Sequence, residues 1–212
     1  MAKYHMETKK QFNDRIQLPF TFDVQKMAAE AHALKKEHYE YYKVITLRSP
    51  AHLVDSSLPF PPPASDYADG SWTDWMDTPN LEKSPYLKSI IHTFSQYTTV
   101  NLVRLLFLAP NSEVKEHTDP TLGLEQEKSM IRLTIPIDNN EGVSFFLNDS
   151  LVTMKTGECW YLRLTDKHRV INNGTTDRIN LTIDVIPNDI IVEIISNANT
   201  LINSQNKPKH ED

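Results

Sequence analysis

Two stretches decide how this chain folds: residues 101–119, NLVRLLFLAPNSEVKEHTD, and residues 168–184, HRVINNGTTDRINLTID. Both are short alternating or β-branched runs broken by turn residues, Pro110-Asn111 in the first and Asn172-Asn173-Gly174 in the second. That is the pattern of strands joined by tight connections. Working outward, runs of the same kind occupy 101–109, 112–118, 130–137, 143–148, 151–155, 158–164, 168–172 and 178–186. Eight short strands at this spacing predict a mainly β fold, either a barrel or a double-sheet sandwich.

Upstream, residues 1–20 are expected to be extended or irregular. Asp23 is a candidate N-cap for a helix running to about Tyr39, because Val24, Met27, Ala28, Ala31 and Leu34 recur at helical spacing. Tyr42 to Leu47 alternates as a strand does, and Ser84 to Phe94 reads as a second helix with Leu87, Ile90, Ile91 and Phe94 on one side. Between them, residues 48–80 are rich in proline and carry Trp72 and Trp75, the composition of an ordered lid loop. One domain over 1–212 is expected: N-terminal helices and lid in 1–99, the β core in 100–187, and a C-terminal helix or tail in 188–212.

The composition narrows the function classes. At 212 residues, 39% hydrophobic and 24% charged, the chain can bury one sizeable core. A net charge of −6 argues against nucleic acid or an anionic membrane as the main partner. No apolar run follows the lysines of MAKYHMETKK, and no later stretch could span a bilayer, so neither a signal peptide nor a membrane span is expected. The single cysteine, Cys159, excludes an internal disulfide and fits a cytoplasmic location.

Chance pairing of 8 histidines with 28 acidic residues gives about one His-x-Asp/Glu, and the chain has four. His5/Glu7 and His210/Asp212 fall in the termini, and His38/Glu40 falls at a helix end where i and i+2 do not share a face. Only His117/Asp119 lies in strand-like surroundings, where alternation sends both side chains to one side. Two histidines and one carboxylate form the facial set that holds non-haem Fe(II) and leaves positions open for a co-substrate and O2. His168 is the best third ligand.

A 2-oxo acid on that iron leaves a distal carboxylate in need of a cation, and the planar fork of arginine suits it. Arg178 opens a run in which Arg178, Asn180 and Thr182 share a face, and such a stripe suits a solvent-facing edge equally well. Arg104, amid apolar residues, points to a buried anion: a substrate carboxylate or a structural Asp or Glu. The lid aspartates Asp66, Asp69, Asp74 and Asp77 near Trp72 and Trp75 read as a solvated loop or as a site for a cationic or zwitterionic substrate.

Taken in order, His117-x-Asp119, Arg132-Leu-Thr-Ile-Pro-Ile, Gly157-Glu-Cys-Trp-Tyr-Leu, His168-x9-Arg178 and Ile183-Asp184 resemble the aspartyl/asparaginyl β-hydroxylase family, in particular its small bacterial proline-type hydroxylases. The resemblance implies a double-stranded β-helix (jelly-roll or cupin-like) with flanking N-terminal helices. It implies an Fe(II)- and 2-oxoglutarate-dependent dioxygenase with His117, Asp119 and His168 as iron ligands and Arg178 anchoring the co-substrate. By the same resemblance Arg132 lies near co-substrate and substrate. The animal enzymes lack the aspartate of the triad and carry a histidine where this chain has Thr134. The expected substrate is an amino acid, free or in a small peptide, with Arg104, Trp72 and Trp75 as candidate contacts. The alternatives are a cupin-type metalloenzyme that uses no 2-oxo acid, and a non-catalytic barrel-type binding module.

Overall fold

The computed structural model describes residues 12–35, 37–61, 70–124 and 129–205, the last four by backbone alone. The alternating runs do form strands, and they pair into two antiparallel sheets packed face to face. The elements in chain order are β1 (Arg15–Thr21), α1 (Val24–Leu34), β2 (Tyr42–Pro50), α2 (Ala51–Val54), β3 (Trp75–Asp77), α3 (Pro79–Glu82), α4 (Pro85–Ser95), β4 (Val100–Leu108), β5 (Ser112–His117), β6 (Ile131–Asp138), β7 (Val143–Leu147), β8 (Ser150–Leu151), β9 (Glu158–Leu162), β10 (His168–Asn172), β11 (Arg178–Val185) and α5 (Asp189–Gln205). The larger sheet runs β1-β9-β6-β11-β4-β2-β3 and the smaller β5-β10-β7-β8. The core is thus a double-stranded β-helix.

Strand alternation gives the larger sheet two unlike faces. On one, Val103, Leu105 and Phe107 of β4, Leu133 and Ile135 of β6 and Ile179, Leu181 and Ile183 of β11 are fully buried. They share a cluster with Met27 of α1, Leu87, Ile90 and Phe94 of α4, and Ile191 and Ile195 of α5. The helices are amphipathic in the register their sequences predict and cover this face. The other face looks at the smaller sheet across a second cluster containing Leu108, Leu122, Phe145, Leu147, Val152, Leu162, Leu164 and Val170.

The N-terminal third differs most from expectation. Residues 15–21 take the extended alternative, as a strand of the larger sheet: β1 pairs antiparallel with β9, Arg15 opposite Leu162. From there Arg15 reaches the smaller sheet, donating to the carbonyls of Leu147 (2.9 Å) and Leu151 (3.2 Å). The first helix stops at Leu34 rather than Tyr39, and the 151–155 run contributes only the short β8. Within 48–80, Arg48–Pro50 extends β2, and β3 pairs with it as the edge strand. Asp77 is tied to Arg48 and Lys88, which gives it a structural role. Asp66 and Asp69 lie outside the described residues, as do His5 and His210.

The connection that brings His168 and Arg178 together is locked by Asn172, which is fully buried. Its Nδ2 donates to the carbonyls of Leu108 (2.9 Å), Ala109 (3.2 Å) and Thr176 (2.9 Å), and its Oδ1 accepts from the amide of Gly174 (3.1 Å). A Cβ on Gly174 would stand 1.8 Å from Oδ1 of Asn140, so this turn needs glycine for close approach.

Candidate metal centre

His117 ends β5 and stands opposite His168, the first residue of β10. Pairing alone therefore places the two imidazoles side by side, with ring centroids 4.3 Å apart. His168 is buried and its ring stacks on Phe145, 6.1 Å between centroids and 10° between planes. Each ring is oriented from behind: Nδ1 of His117 lies 2.7 Å from the carbonyl of Lys115, and Nδ1 of His168 lies 3.0 Å from that of Asp166. An Nδ1–H donated to a carbonyl leaves the Nε2 lone pair free to bind a metal. Burial holds the His168 pKa below the ordinary histidine value, so it is neutral, as a ligand must be.

Asp119 joins them by a different route from the one alternation predicts. β5 ends at His117, so the shared-face argument stops there. Asp119 is positioned instead by its own amide, which donates to the carbonyl of Leu164 at 2.8 Å, and its Oδ2 comes to 4.0 Å from Nε2 of His168. One ligand atom from each of His117, Asp119 and His168 falls within 4.8 Å of the others, and this is the one such group among the described residues. The 4.0 Å between Oδ2 of Asp119 and Nε2 of His168 lies within the span of about 4.2 Å that two metal bonds of about 2.1 Å can cover.

The interior face of the larger sheet surrounds this group with charge. Arg132 of β6 sits directly opposite Asp184 of β11. It grips that carboxylate through two bonds, Nε to Oδ1 at 2.7 Å and Nη2 to Oδ2 at 2.8 Å. Its remaining nitrogen, Nη1, donates to Oδ2 of Asp119 at 3.1 Å. Burial works against the Arg132 charge, but Asp184 and Asp119 outweigh it and hold its pKa above the arginine value. Arg132 thus orients a candidate metal ligand. Asp184 was legible as the close of the Ile183-Asp184 motif and as a further member of the Arg178, Asn180, Thr182 alternation; the sequence held no signal for its partner.

Arg178 is different. It is 5% exposed and has no carboxylate partner among the described residues. Burial pushes its pKa down to about 10, with the Tyr42 phenol acting weakly in the other direction. Arg104 lies on the same face, its Nε buried with no hydrogen-bond partner. Burial, then Arg132, lowers its pKa. A cavity of about 550 Å³ opens here, its wall including Tyr42, Arg104, His117, Asp119, Arg132 and Asp184, with Leu102, Leu106, Val114 and Met130 between them. A depression of equal volume on the outer flank of β2, lined by Leu34, Lys43 and Asn80, contains none of the three ligands.

Counting Arg104, Arg132 and Arg178 against Asp119 and Asp184, the interior carries a surplus positive charge before any metal enters. It is built to receive anions. The ligand set and the unpaired Arg178 therefore fit Fe(II) and a dicarboxylic 2-oxo acid. Trp72 and Trp75 pack in a cluster with His52 and Phe60.

The family model described as Aspartyl/Asparaginyl beta-hydroxylase matches residues 65–187. A curated L-proline cis-4-hydroxylase from Rhizobium meliloti (strain 1021) is 28% identical over 107 residues, which are 50% of this chain and 37% of that protein. The chain thus matches little more than a third of that relative's length. A crystal structure of an oxidoreductase of the 2OG-Fe(II) oxygenase family from Burkholderia pseudomallei superposes with a TM-score of 0.53 at 13% identity, covering 82% of this chain and 84% of the other. That likeness is one of fold.

Proposed function

This chain belongs to the aspartyl/asparaginyl β-hydroxylase family, and from that premise we propose that it is an Fe(II)- and 2-oxoglutarate-dependent hydroxylase acting on an amino acid, free or within a small peptide. One observation carries the reading: a two-histidine, one-carboxylate cluster shares an interior with Arg178, a buried cation that has no carboxylate of its own. A metal alone would leave that arginine without a purpose. A dicarboxylate bound beside the metal gives it one.

Fe(II), 2-oxoglutarate and O2 together supply the oxidation, in which the co-substrate becomes succinate and CO2 and one oxygen atom enters a C–H bond of the substrate. The chain's own residues do the rest. His117 and His168 offer Nε2, Asp119 offers a carboxylate oxygen, and Arg132 braces Asp119 from behind. Arg178 pairs with the distal carboxylate of the co-substrate. Leu102, Leu106, Val114 and Met130 line the rest of the cavity and limit the water that reaches the metal. Arg104, with an unsatisfied Nε in the same wall, suits the carboxylate of an amino-acid substrate. The proline hydroxylase among the relatives makes proline and its analogues the first compounds to try.

The test is anaerobic. Fe(II)-loaded protein is expected to develop the visible charge-transfer absorption of a chelating 2-oxo acid when 2-oxoglutarate is added. His168→Ala should lose it, and Arg178→Leu should need more than about tenfold more co-substrate, the worth of a hydrogen bond to a charged group. Amino acids and short peptides are then screened in air for succinate release and a product heavier by one oxygen. Iron bound without any such absorption in the wild-type protein would end the 2-oxoglutarate reading.

A further inference from the structure

Tyr42 lies in β2, outside the part of the chain that carries the metal ligands. Register nevertheless brings it to them: Tyr42 stands opposite Leu108, and Leu108 stands opposite Arg178. The side chains of Tyr42 and Arg178 therefore leave the same face of the sheet, two strands apart, with about 10 Å between their backbones. That is a gap two long side chains can close from both sides onto one small group.

Tyr42 also lines the cavity together with Arg104, Arg132, His117 and Asp119. Tyr42 is 38% exposed where it joins the cavity wall, and its hydroxyl has no hydrogen-bond partner among the described residues, so it is open to a ligand. Burial holds the phenol above the ordinary tyrosine pKa, while Arg104, Arg178 and Arg132 pull the other way; the proton stays on and can be donated. Tyr42 is the ionisable neighbour whose field reaches Arg178. A phenol without a protein partner and a buried cation, on one face of the sheet and on either side of Leu108, offer two donors to one carboxylate.

We propose that Tyr42 binds the co-substrate, its phenol donating a hydrogen bond to the distal carboxylate that Arg178 pairs with. This rests on the 2-oxoglutarate reading above. It assigns to β2, a strand from the N-terminal third, a direct part in holding the co-substrate.

Tyr42→Phe removes the donor and keeps the ring. Co-substrate binding to the anaerobic Fe(II) protein is followed by its visible absorption for 2-oxoglutarate and for pyruvate, which has the same chelating end and no distal carboxylate. The expected result is a ten- to hundred-fold weaker affinity for 2-oxoglutarate, with pyruvate binding, iron affinity and the thermal midpoint unchanged. Unchanged 2-oxoglutarate binding in Tyr42→Phe overturns the proposal and leaves the function standing. Equal weakening for both acids also overturns it, because the phenol would then act at the chelating end. A wild-type protein that holds iron and binds no 2-oxoglutarate overturns proposal and function together.

Discussion

Two faces of one sheet carry opposite chemistry. The helix side of β4, β6 and β11 presents Val103, Leu105, Phe107, Leu133, Ile135, Ile179, Leu181 and Ile183, with no polar side chain among them. The cavity side of the same strands presents Arg104, Arg132, Thr134, Arg178, Asn180, Thr182 and Asp184. Every residue of β11 is buried, so burial does not separate the two. What separates them is the presence of polar groups, and whether each of those has a partner divides the cavity side again. Arg132 and Asp184 satisfy each other and Asp119; Arg178 and Arg104 are held in reserve. A buried polar face can thus be part scaffold and part receptor.

Breaking the scaffold half should cost most. Asp184→Leu leaves the buried Arg132 with Asp119 as its one remaining carboxylate among the described residues, and a loss of about 3–5 kcal/mol in urea unfolding is expected, together with weaker iron binding because Arg132 is no longer held in place behind Asp119. A stability unchanged from wild type would show that Arg132 finds another partner. On the helix side, Leu181→Ala opens a cavity between the sheet and its helices and should cost about 2–5 kcal/mol, while the iron affinity of the folded protein stays as it was. A parallel fall in iron affinity would deny the independence of the two faces.

The receptor half should respond in the opposite sense. Arg178→Leu removes an uncompensated cation, so the apo-protein should gain about 1–3 kcal/mol even as co-substrate affinity falls. The sign follows from its pKa of about 10, below the ordinary arginine value: the charge destabilises the fold at every pH below that point, and the penalty fades only above it. A less stable Arg178→Leu would mean the arginine is scaffold after all. The smallest effect is expected at Thr182, whose hydroxyl donates only a long bond, 3.4 Å, to the carbonyl of Arg104; Thr182→Val should cost no more than about 1.5 kcal/mol in unfolding.

The sequence made the alternation of β11 plain, and with it the fact that Arg178, Asn180 and Thr182 share a face. It did not say whether that face met water. That depends on which strands flank β11 and which side the helices cover, and both are set by pairings between residues far apart in the chain. The ligands themselves were legible as residue types, and His117 and His168 owe their meeting to strand register. Asp119 lies past the end of β5, where period-two reasoning no longer applies and one hydrogen bond from its amide to the Leu164 carbonyl decides the geometry. Tyr42 was readable only as a strand residue, because nothing local tells β2 to lie against β4. Trp72 and Trp75 drew notice by type, and they pack with each other, His52 and Phe60 through contacts that no local pattern announces.

The pairing of β1 with β9 has a consequence for the order of assembly. As the chain is synthesised, Arg15–Thr21 emerges early and has no strand to pair with until residues 158–162 follow. Strands whose partners are so distant in sequence dock late and fold slowly. His168 emerges later still, so a chain halted between Asp119 and His168 holds two of the three ligands. A site built from all three ligands therefore waits for a chain long enough to have already released β9, the partner that β1 needs.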